Sequence, residues 1–295
     1  MNSRRHTIDV PDLLKKHGLK PNKKLGQNFL VDEAHLRAIV TKAELAPSDT
    51  VLEIGAGLGS LTAHLAETVE RVIAVEMDRQ LVPILKDNLA AFPNAQLIQG
   101  DIFDQDMKAL LPDSGYQVVA NIPYYLTSKL IRHLLEAERK PRGLTLTIQK
   151  EVAERACELP PKMSLLALGI RVYGKPEIVH AIPAGAFYPV PKVDSAVLKI
   201  ELFEQAALND EQREMLFRMA RAAFGQKRKT LANSLAALPD WDKDSARMRL
   251  ERAGIQPTQR PQTLALEDWK RLIVRVARDS ENATRSPRLG ERRIS

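Results

Sequence analysis

The hydrophobic and polar positions in the first two thirds of the chain alternate between short apolar runs and segments with helical spacing. Apolar recurrence such as Leu61 with Leu65 predicts amphipathic helices between the runs. Strands that alternate with helices predict a mostly parallel sheet covered on both faces. The runs that predict its strands are 51–54, 71–76, 95–99, 116–120 and 144–148.

Two potential N-cap residues predict where helices begin. Asp32 precedes a segment with apolar residues at helical spacing, and Asp78 precedes another one despite Pro83 in its second turn. A third amphipathic segment, over 127–137, predicts the helix that follows the fourth strand.

The pattern changes at about Gly174. Two extended stretches, 177–182 and 195–202, are joined by a proline-rich loop that is too short for a crossover helix. They therefore predict an antiparallel pair at the edge of the sheet. After Phe203 the spacing is helical through about Ala277, which predicts a small all-α domain.

The predicted fold class is α/β, a Rossmann-like sheet that is mostly parallel, with an antiparallel edge strand and a small C-terminal all-α domain. The ends of the chain are polar and basic, which predicts flexible segments there. The predicted divisions are a flexible basic segment at 1–20, an α/β domain at 21–203, a helical domain at 204–279 and a flexible tail at 280–295.

Composition narrows the class of protein. The chain has 295 residues, is 44% hydrophobic, and contains no apolar run near the ~18 residues that span a bilayer. The first residues are basic but lack the apolar stretch of a signal peptide, so we expect no export and no membrane association. Cys157 is the single cysteine, which rules out an intramolecular disulfide and suits a reducing cytoplasm.

Charge is distributed unevenly along the chain. Residues 1–24 have a net charge of +5, residues 25–200 have −3, and residues 201–295 have +5, within a total of +7. Basic flanks around a near-neutral body favour a polyanionic partner such as a nucleic acid, although basic tails on an ordinary soluble surface give the same pattern.

A glycine-rich turn follows the first strand. Gly55 and Gly57 lie where glycine permits a positive φ and a close approach of the backbone to a ligand, just before the amino end of a helix. The G-x-G-x-G spacing lacks a second phosphate cradle. It therefore favours S-adenosylmethionine over NAD, and no residue suggests the hydride-acceptor pocket of an NAD oxidoreductase.

Two acidic residues end the next two strands. Glu76 stands where a carboxylate can accept hydrogen bonds from both ribose hydroxyls of a nucleoside. Asp101 can accept from an adenine amine, with Ile102 against the ring. The alternative is that both carboxylates are merely solvated strand ends.

The sequence Asn121-Ile122-Pro123-Tyr124 follows the fourth strand, at the edge where open α/β sheets bind ligands. The N6 amine of adenine is a poor nucleophile because its lone pair is delocalised into the ring. The Asn121 side-chain oxygen and the Ile122 carbonyl can grip its two hydrogens and aim the lone pair at a methyl group. Pro123 stiffens the loop, and the Tyr124 ring offers a surface for base stacking.

Phe187 in the late loop is a candidate second ring against the target base, or else an ordinary core residue. The proposed chemistry requires positioning and electrostatics but no metal. The six histidines have no metal-ligand spacing.

Eight short sequence blocks along the chain together resemble those of one protein family. The chain resembles the ribosomal RNA adenine N6,N6-dimethyltransferases, specifically the small-subunit (16S) kasugamycin-sensitivity branch, over about residues 20–275. The blocks are LGQNFL, EIGAGLG, VIAVEMD, GD at 100–101, NIPYYLTS, QKEV, FYPVPKVDSAV and AFGQKRKTLANSL.

The resemblance implies a class I methyltransferase fold and S-adenosylmethionine as the cofactor. It also implies that the substrate is a pair of adjacent adenosines in the loop of the 3′-terminal hairpin of 16S RNA, which receive four methyl groups during small-subunit assembly. With the residues argued above, the candidate cofactor-binding set is Asn28, Leu30, Gly55, Gly57, Glu76, Met77, Asp101, Ile102 and Asn121. The candidate catalytic set is Asn121, Ile122, Pro123, Tyr124 and Phe187.

The family's helical domain helps to dock on ribosomal RNA, and a basic helix junction in this chain matches it. The alternative for this junction is a solvated turn. The candidate RNA-binding residues are Arg221, Lys227, Arg228 and Lys229.

Two other functions on the same scaffold remain as alternatives. One is a 23S adenine N6-methyltransferase of the macrolide-resistance type, against which the full VPKVDSAV and FGQKRKTL blocks speak. The other is a non-catalytic RNA- or DNA-binding factor, against which the complete set of cofactor and acceptor residues speaks. We expect a cytoplasmic monomer that acts on an immature small subunit, without a metal.

Overall fold

The computed structural model describes residues 8–111, 115–226, 228–239 and 241–285. These residues form two compact units. The α/β unit consists of the described residues up to Cys157 together with residues 173–205, and the helical unit consists of residues 158–172 together with those from Ala206 onward.

The α/β unit contains nine strands and seven α-helices among its described residues. Its strands are β1 (Phe29–Leu30), β2 (Thr50–Ile54), β3 (Arg71–Glu76), β4 (Ala95–Gln99), β5 (Tyr116–Asn121), β6 (Gly143–Gln149), β7 (Gly174–Ile182), β8 (Phe187–Tyr188) and β9 (Ser195–Leu202). Its helices are α1 (Val10–Lys16), α2 (Glu33–Ala43), α3 (Ser60–Ala66), α4 (Val82–Asn88), α5 (Met107–Leu110), α6 (Thr127–Glu136) and α7 (Lys150–Cys157).

Seven of the strands form one sheet in the order β4-β3-β2-β5-β6-β9-β7. The strands from β4 to β6 are parallel to one another, and β9 runs antiparallel to both β6 and β7. The central strands are almost entirely buried because helices cover both faces. The predicted fold class is therefore confirmed, including the antiparallel pair at the edge.

A second sheet, β1 with β8, was not predicted from the sequence. Phe29 pairs with Tyr188, and Leu30 pairs with Phe187. Two-residue strands are too short to show a period of two, so only the tertiary pairing reveals them. This small sheet places the segment before α2 against the loop before β9.

The predicted start of α2 is confirmed. The Asp32 carboxylate accepts hydrogen bonds from the backbone amides of Ala34 at 2.8 Å and His35 at 3.2 Å. Leu36 and Ile39 on the same helix are buried in the core. The cap satisfies two of the amides that a helix leaves unpaired at its amino end.

The predicted start of α4 at Asp78 is wrong by four residues, because the helix begins at Val82. Proline lacks an N–H and fits only the first turn of a helix, and Pro83 occupies that position here. Asp78 instead holds a turn, since its carboxylate accepts from the Gln80 amide at 3.0 Å and from Gln27 Nε2 at 2.7 Å.

The prediction of a flexible segment over 1–20 is wrong for α1. The Asp9 carboxylate caps this helix through the Asp12 amide at 3.0 Å, and Val10 and Leu14 are buried in an apolar cluster with Leu58. The basic charge of the segment concealed the four-residue spacing of its two apolar residues. The first seven residues lie outside the described part of the chain.

The helical unit begins earlier in the chain than the predicted boundary at 204. Residues 158–172 belong to it, and the Met163 amide donates to the Gln262 carbonyl at 3.0 Å. Trp269 is fully buried and stacks on Phe224 with ring centroids 6.3 Å apart. The helices are α8 (Leu165–Arg171), α9 (Asp210–Phe224), α10 (Leu231–Leu235), α11 (Lys243–Arg252) and α12 (Leu266–Arg285).

Helix α12 extends to Arg285, past the predicted end of the helical domain at 279. Residues 286–295 of the predicted tail lie outside the described part. None of the described helices combines the length and the apolar character needed to cross a bilayer.

Candidate active site

A cleft opens at the carboxyl edge of the parallel strands, where the loops after β2, β3, β4 and β5 meet the segment that contains β1. Every predicted cofactor-binding and catalytic residue lines this cleft. They are Asn28, Leu30, Gly55, Gly57, Glu76, Met77, Asp101, Ile102, Asn121, Ile122, Pro123, Tyr124 and Phe187. Because parallel strands end at one edge, residues far apart in sequence converge there.

The glycine turn after β2 has the backbone conformation that its residues predict. Gly55 and Gly57 have φ values of +77° and +62°, a region that favours glycine. The Gly55 amide donates to the Val75 carbonyl at 2.8 Å, which ties the turn to β3. The Gly57 amide donates to Glu76 Oε2 at 2.7 Å. The turn therefore positions the acidic residue at the end of β3.

Glu76 is buried and uses both carboxylate oxygens. Oε2 accepts from Gly57, and Oε1 accepts from the Asp78 amide at 2.8 Å. Burial raises the pKa of the Glu76 carboxyl, and the two backbone amides oppose that rise. Each carboxylate oxygen has a further lone pair, so the group can still accept from a diol in the cleft. Met77 beside it keeps 40% of its side chain exposed and offers an apolar contact.

Asp101 and Ile102 begin a single 3-10 turn after β4. Asp101 Oδ1 accepts from the Phe103 amide at 3.1 Å, and the side chain of Gln105 donates to the Asp101 carbonyl at 3.0 Å. Ile102 is buried. A partly exposed carboxylate next to a buried apolar side chain suits the amine and the ring face of a purine.

Asn121 ends β5, and its amide has one fixed orientation. Its Nδ2 donates to the Asn28 carbonyl at 3.1 Å. Because a carbonyl accepts but cannot donate, the nitrogen must face Asn28 and the Oδ1 atom must face the other way. This contact between β5 and the segment before β1 leaves the amide oxygen to act as an acceptor in the cleft.

The remaining residues of the acceptor loop are held by neighbouring strands. The Ile122 amide donates to the Thr147 carbonyl at 3.1 Å, which fixes the start of the loop against β6. The Tyr124 hydroxyl and the buried Ser195 hydroxyl are hydrogen-bonded at 2.9 Å. The φ of Pro123 is −54°, close to the value that its ring imposes. Tyr124 therefore holds a fixed position at the cleft wall.

Phe187 lines the cleft but is only 2% exposed, and its ring packs in the core with Leu36 and Ile39. Both interpretations given above therefore describe part of its environment. Its role as a second ring against a base stays a prediction.

The segment before β1 has a support that the sequence does not reveal. Gln27 Nε2 donates to the Asp78 carboxylate at 2.7 Å, while Gln27 Oε1 accepts from the Asn22 amide at 2.7 Å. These bonds hold the neighbouring Asn28 beside the cleft. The two side chains are 51 positions apart, so no local pattern connects them.

Comparison with known proteins decides the family. The model of a family described as ribosomal RNA adenine dimethylase matches residues 18–277. The chain belongs to this family. The family's members are S-adenosylmethionine-dependent methyltransferases, so the predicted enzyme class and cofactor are confirmed.

Curated relatives narrow the branch. A ribosomal RNA small subunit methyltransferase A from Dehalococcoides mccartyi is 42% identical over 264 residues, which cover 89% of this chain and 91% of the relative. One of the same name from Alkaliphilus metalliredigens is 38% identical over 90% of this chain and 95% of the relative. The predicted small-subunit branch is therefore confirmed.

Solved structures agree on the fold. The 23S ribosomal RNA methyltransferase ErmE has a TM-score of 0.67 at 27% identity and covers 84% of this chain and 99% of its own. A dimethyladenosine transferase from Plasmodium falciparum has a TM-score of 0.73 at 24% identity, with coverage of 84% and 97%.

The residues in the cleft of this dimethylase fit S-adenosylmethionine. Glu76 suits the ribose diol, Asp101 suits the adenine amine, and Met77 and Ile102 supply apolar surface for the ring. A Cβ at Gly55 would lie 3.8 Å from the Asn121 carbonyl, between the turn and the acceptor loop. The glycine therefore keeps space between the two predicted binding regions.

Glu53 is a residue of the cleft that the sequence interpretation missed. It is 2% exposed, and its Oε2 atom has no hydrogen-bond partner within the described part of the structure. Burial raises the pKa of the Glu53 carboxyl to about 8, the nearby Thr62 hydroxyl partly offsets this rise, and the Glu76 carboxylate adds to it. Its position near the end of a buried strand, two residues before Gly55, was the available signal.

The raised pKa of Glu53 predicts a pH-dependent gain from Glu53→Gln. Between the ordinary pKa of 4.5 and about 8, the folded state holds one proton more than the unfolded state, so stability falls as pH rises, by up to about 1.4 kcal/mol per unit. Glutamine resembles the protonated acid and escapes this loss. The melting temperature of Glu53→Gln minus that of the wild type should therefore increase from pH 5 to pH 8. A difference that stays constant across this range would contradict the assignment.

The candidate RNA-binding residues lie in the helical unit. Arg221 is on the last turn of α9, and Arg228 and Lys229 lie between α9 and α10. All three are exposed, whereas Lys227 lies outside the described residues. An exposed basic junction is compatible with phosphate contacts, and its role stays a prediction.

Proposed function

We propose that this dimethylase transfers methyl groups from S-adenosylmethionine to the N6 amines of two adjacent adenosines. These adenosines lie in the loop of the 3′-terminal hairpin of 16S ribosomal RNA. The enzyme acts as a monomer in the cytoplasm, on an immature small subunit. The observation that carries this proposal is the fixed orientation of the Asn121 amide in the cleft, beside Tyr124 and opposite the glycine turn.

The cofactor, when bound, supplies an electrophilic methyl group on a sulfonium centre. Glu76, Met77, Asp101 and Ile102 hold its nucleoside, and the glycine turn leaves room for it. The Asn121 Oδ1 atom and the Ile122 carbonyl accept the two hydrogens of the target amine. This grip would favour a pyramidal nitrogen whose lone pair faces the methyl carbon. As the new N–C bond forms, the C–S bond breaks, S-adenosylhomocysteine leaves, and the nitrogen loses one proton to solvent. Positioning of this kind lowers the barrier without a covalent intermediate.

Tyr124 supports the target base from one side. Its hydroxyl is anchored on Ser195, so the ring does not have to be ordered when the base arrives. A purine that leaves its stack loses stacking energy, and an aromatic platform restores ~1–3 kcal/mol of it. Phe187, which also lines the cleft, is the proposed second ring.

The choice of RNA tests this proposal. Unmodified small and large ribosomal subunits are offered separately, with a labelled methyl donor. We expect label in the small-subunit RNA and none above background in the large-subunit RNA. Label confined to the large subunit would assign the chain to the other branch. No label in either, together with no cofactor binding in calorimetry, would indicate a non-catalytic binding factor.

The basic junction predicts a specific salt dependence. Neutralising Lys227, Arg228 and Lys229 with glutamine removes up to three phosphate contacts. The slope of log affinity against log salt should then become shallower by about 2. Binding to unmodified small subunits is measured by filter retention between 50 and 300 mM salt.

A charge-matched variant controls for the loss of net charge. It replaces three exposed basic residues on α11 of the same unit, Lys243, Arg247 and Arg252, with glutamine. An equal change of slope in both variants would show that the junction acts only through overall charge.

A further inference from the structure

The residue after the acceptor motif, Tyr125, presents an aromatic ring to solvent. Its side chain is 57% exposed, whereas the other large apolar and aromatic residues around the cleft are mostly buried. The ring is also supported from below. A Cβ built on Gly26 would lie 3.2 and 3.3 Å from the Tyr125 Cδ1 and Cε1 atoms, and 3.5 Å from Pro123 Cβ. Tyr125 is thus a braced ring at the rim of the cleft.

Three exposed basic side chains, Lys23, Lys24 and Lys129, lie on segments that adjoin this ring. Lys23 and Lys24 lie in the 3-10 turn that Gly26 caps, and the Gly26 amide donates to the Lys23 carbonyl at 3.1 Å. Partial burial raises the pKa of the Tyr125 hydroxyl, and the nearby Asp101 carboxylate adds to that rise. The Phe103 amide donates to that same carboxylate.

Lys129 follows Tyr125 by four positions in the chain. It lies on the first turn of α6, and its Nζ atom is 3.7 Å from the centroid of the Phe103 ring. The cation–π contact holds an exposed ammonium near the rim. Proteins bind single-stranded nucleic acid with exposed aromatic rings that have cations nearby, because bases stack on the rings while phosphates contact the charges.

We propose that Tyr125 is the stacking platform for the nucleotide next to the adenosine in the cleft, with Lys129 and the Lys23–Lys24 pair near the flanking phosphates. This inference rests on the proposed function. A single-stranded RNA loop can place one base in the cleft only if it unstacks from its neighbour. The Tyr125 ring takes the place of the lost stacking partner, one residue after Tyr124.

This role explains why adjacent target adenosines suit the site. When either adenosine is in the cleft, a neighbouring base is available for the rim. Purines stack more strongly than pyrimidines, so the platform favours a purine neighbour. It requires no contact with the Watson–Crick edge of that neighbour.

Variants of Tyr125 test the platform. Tyr125→Ala should lower kcat/KM for unmodified small subunits about tenfold, mainly through KM, and Tyr125→Phe should restore most of it because the ring remains. Affinity for S-adenosylmethionine, measured by calorimetry, should be unchanged in both. Phe203→Ala is the matched control. Phe203 is also exposed, but it follows β9 at the opposite edge of the sheet, and its loss should leave kcat/KM unchanged.

A substitution in the RNA makes the test specific. Small subunits are reconstituted with transcribed 16S RNA in which one of the two adjacent adenosines is replaced by uridine. Methylation of the remaining adenosine by wild-type enzyme should fall, and Tyr125→Ala should reduce it little further. If the uridine substitution and Tyr125→Ala each lowered methylation independently, so that their effects multiplied, the proposed stacking role would be overturned. Full activity of Tyr125→Ala on the unsubstituted RNA would also overturn it.

Two further readouts separate the failure of this inference from failure of the proposed function. Weaker cofactor binding with an unchanged KM would place Tyr125 in the cofactor site and overturn the inference. Equilibrium affinity for unmodified subunits is measured apart from transfer. If the wild type transfers no methyl groups, the proposed function fails, but the affinity measurement still tests Tyr125. Equal affinities of wild type and Tyr125→Ala for unmodified subunits would overturn its stacking role. A tenfold lower affinity of Tyr125→Ala would support that role.

Discussion

Asn121→Ala is expected to lower kcat for methyl transfer about 100- to 1,000-fold while cofactor affinity stays within about threefold of the wild type. The substitution removes the acceptor that aims the target nitrogen. It also removes the bond from Nδ2 to the Asn28 carbonyl, but the cofactor keeps Glu76 and Asp101. Single-turnover transfer to unmodified small subunits measures the rate, and calorimetry measures the affinity.

Asn94→Ala is the matched control for this prediction. The Asn94 side chain also donates to backbone carbonyls, those of Ala66 at 2.8 Å and Val69 at 2.9 Å, but it lies just before β4, at the amino edge of the sheet. Its loss should leave kcat unchanged. Near-normal transfer by Asn121→Ala would remove Asn121 from the mechanism and place the source of catalysis elsewhere in the cleft.

Glu76→Ala is expected to weaken the binding of S-adenosylmethionine by about 100-fold, because two hydrogen bonds to a charged acceptor are lost. The variant also leaves the Gly57 and Asp78 amides without their acceptor, which loosens the glycine turn. Calorimetric titration with the cofactor measures the effect. At saturating cofactor, the rate of methyl transfer by Glu76→Ala should be closer to that of the wild type than the rate of Asn121→Ala is.

The other end of the same strand provides the control. Glu70 is exposed and directly precedes β3, whereas Glu76 ends it. Glu70→Ala removes the same charge at the opposite edge of the sheet and should leave the dissociation constant unchanged. Equal weakening in both variants would show that net charge, rather than a ribose contact, governs affinity.

The sequence predicts this fold well where a local apolar pattern extends over a whole strand or helix. The central parallel strands contain short apolar runs, and the structure places β3 and β4 over the predicted residues. Two of the failures arise from competing local rules. Pro83 delays α4 by four residues, and the basic charge before Gly18 conceals the amphipathic α1. The β1–β8 pair depends on tertiary contact alone.

The candidate site shows the same division. Site residues at strand ends and in the glycine turn can be predicted from the sequence, because parallel topology brings them to one edge. All the predicted cofactor-binding and catalytic residues do line one cleft. The hydrogen bonds that hold the site residues in place cannot be predicted from the sequence. The Gln27–Asp78 bond and the Asn121–Asn28 bond join residues 51 and 93 positions apart. The burial of Glu53, which raises its pKa, depends on the packing around the finished sheet.

In the proposed function, this cleft directs the N6 amines of adjacent adenosines toward the methyl donor. The most direct measurement is mass-spectrometric mapping of small-subunit RNA after reaction with purified wild-type enzyme. We predict two adjacent N6,N6-dimethyladenosines in the loop of the 3′-terminal hairpin, which are absent after reaction with Asn121→Ala. Methyl groups on another base, on another atom of adenine, or in equal amounts with the Asn121 variant would contradict it.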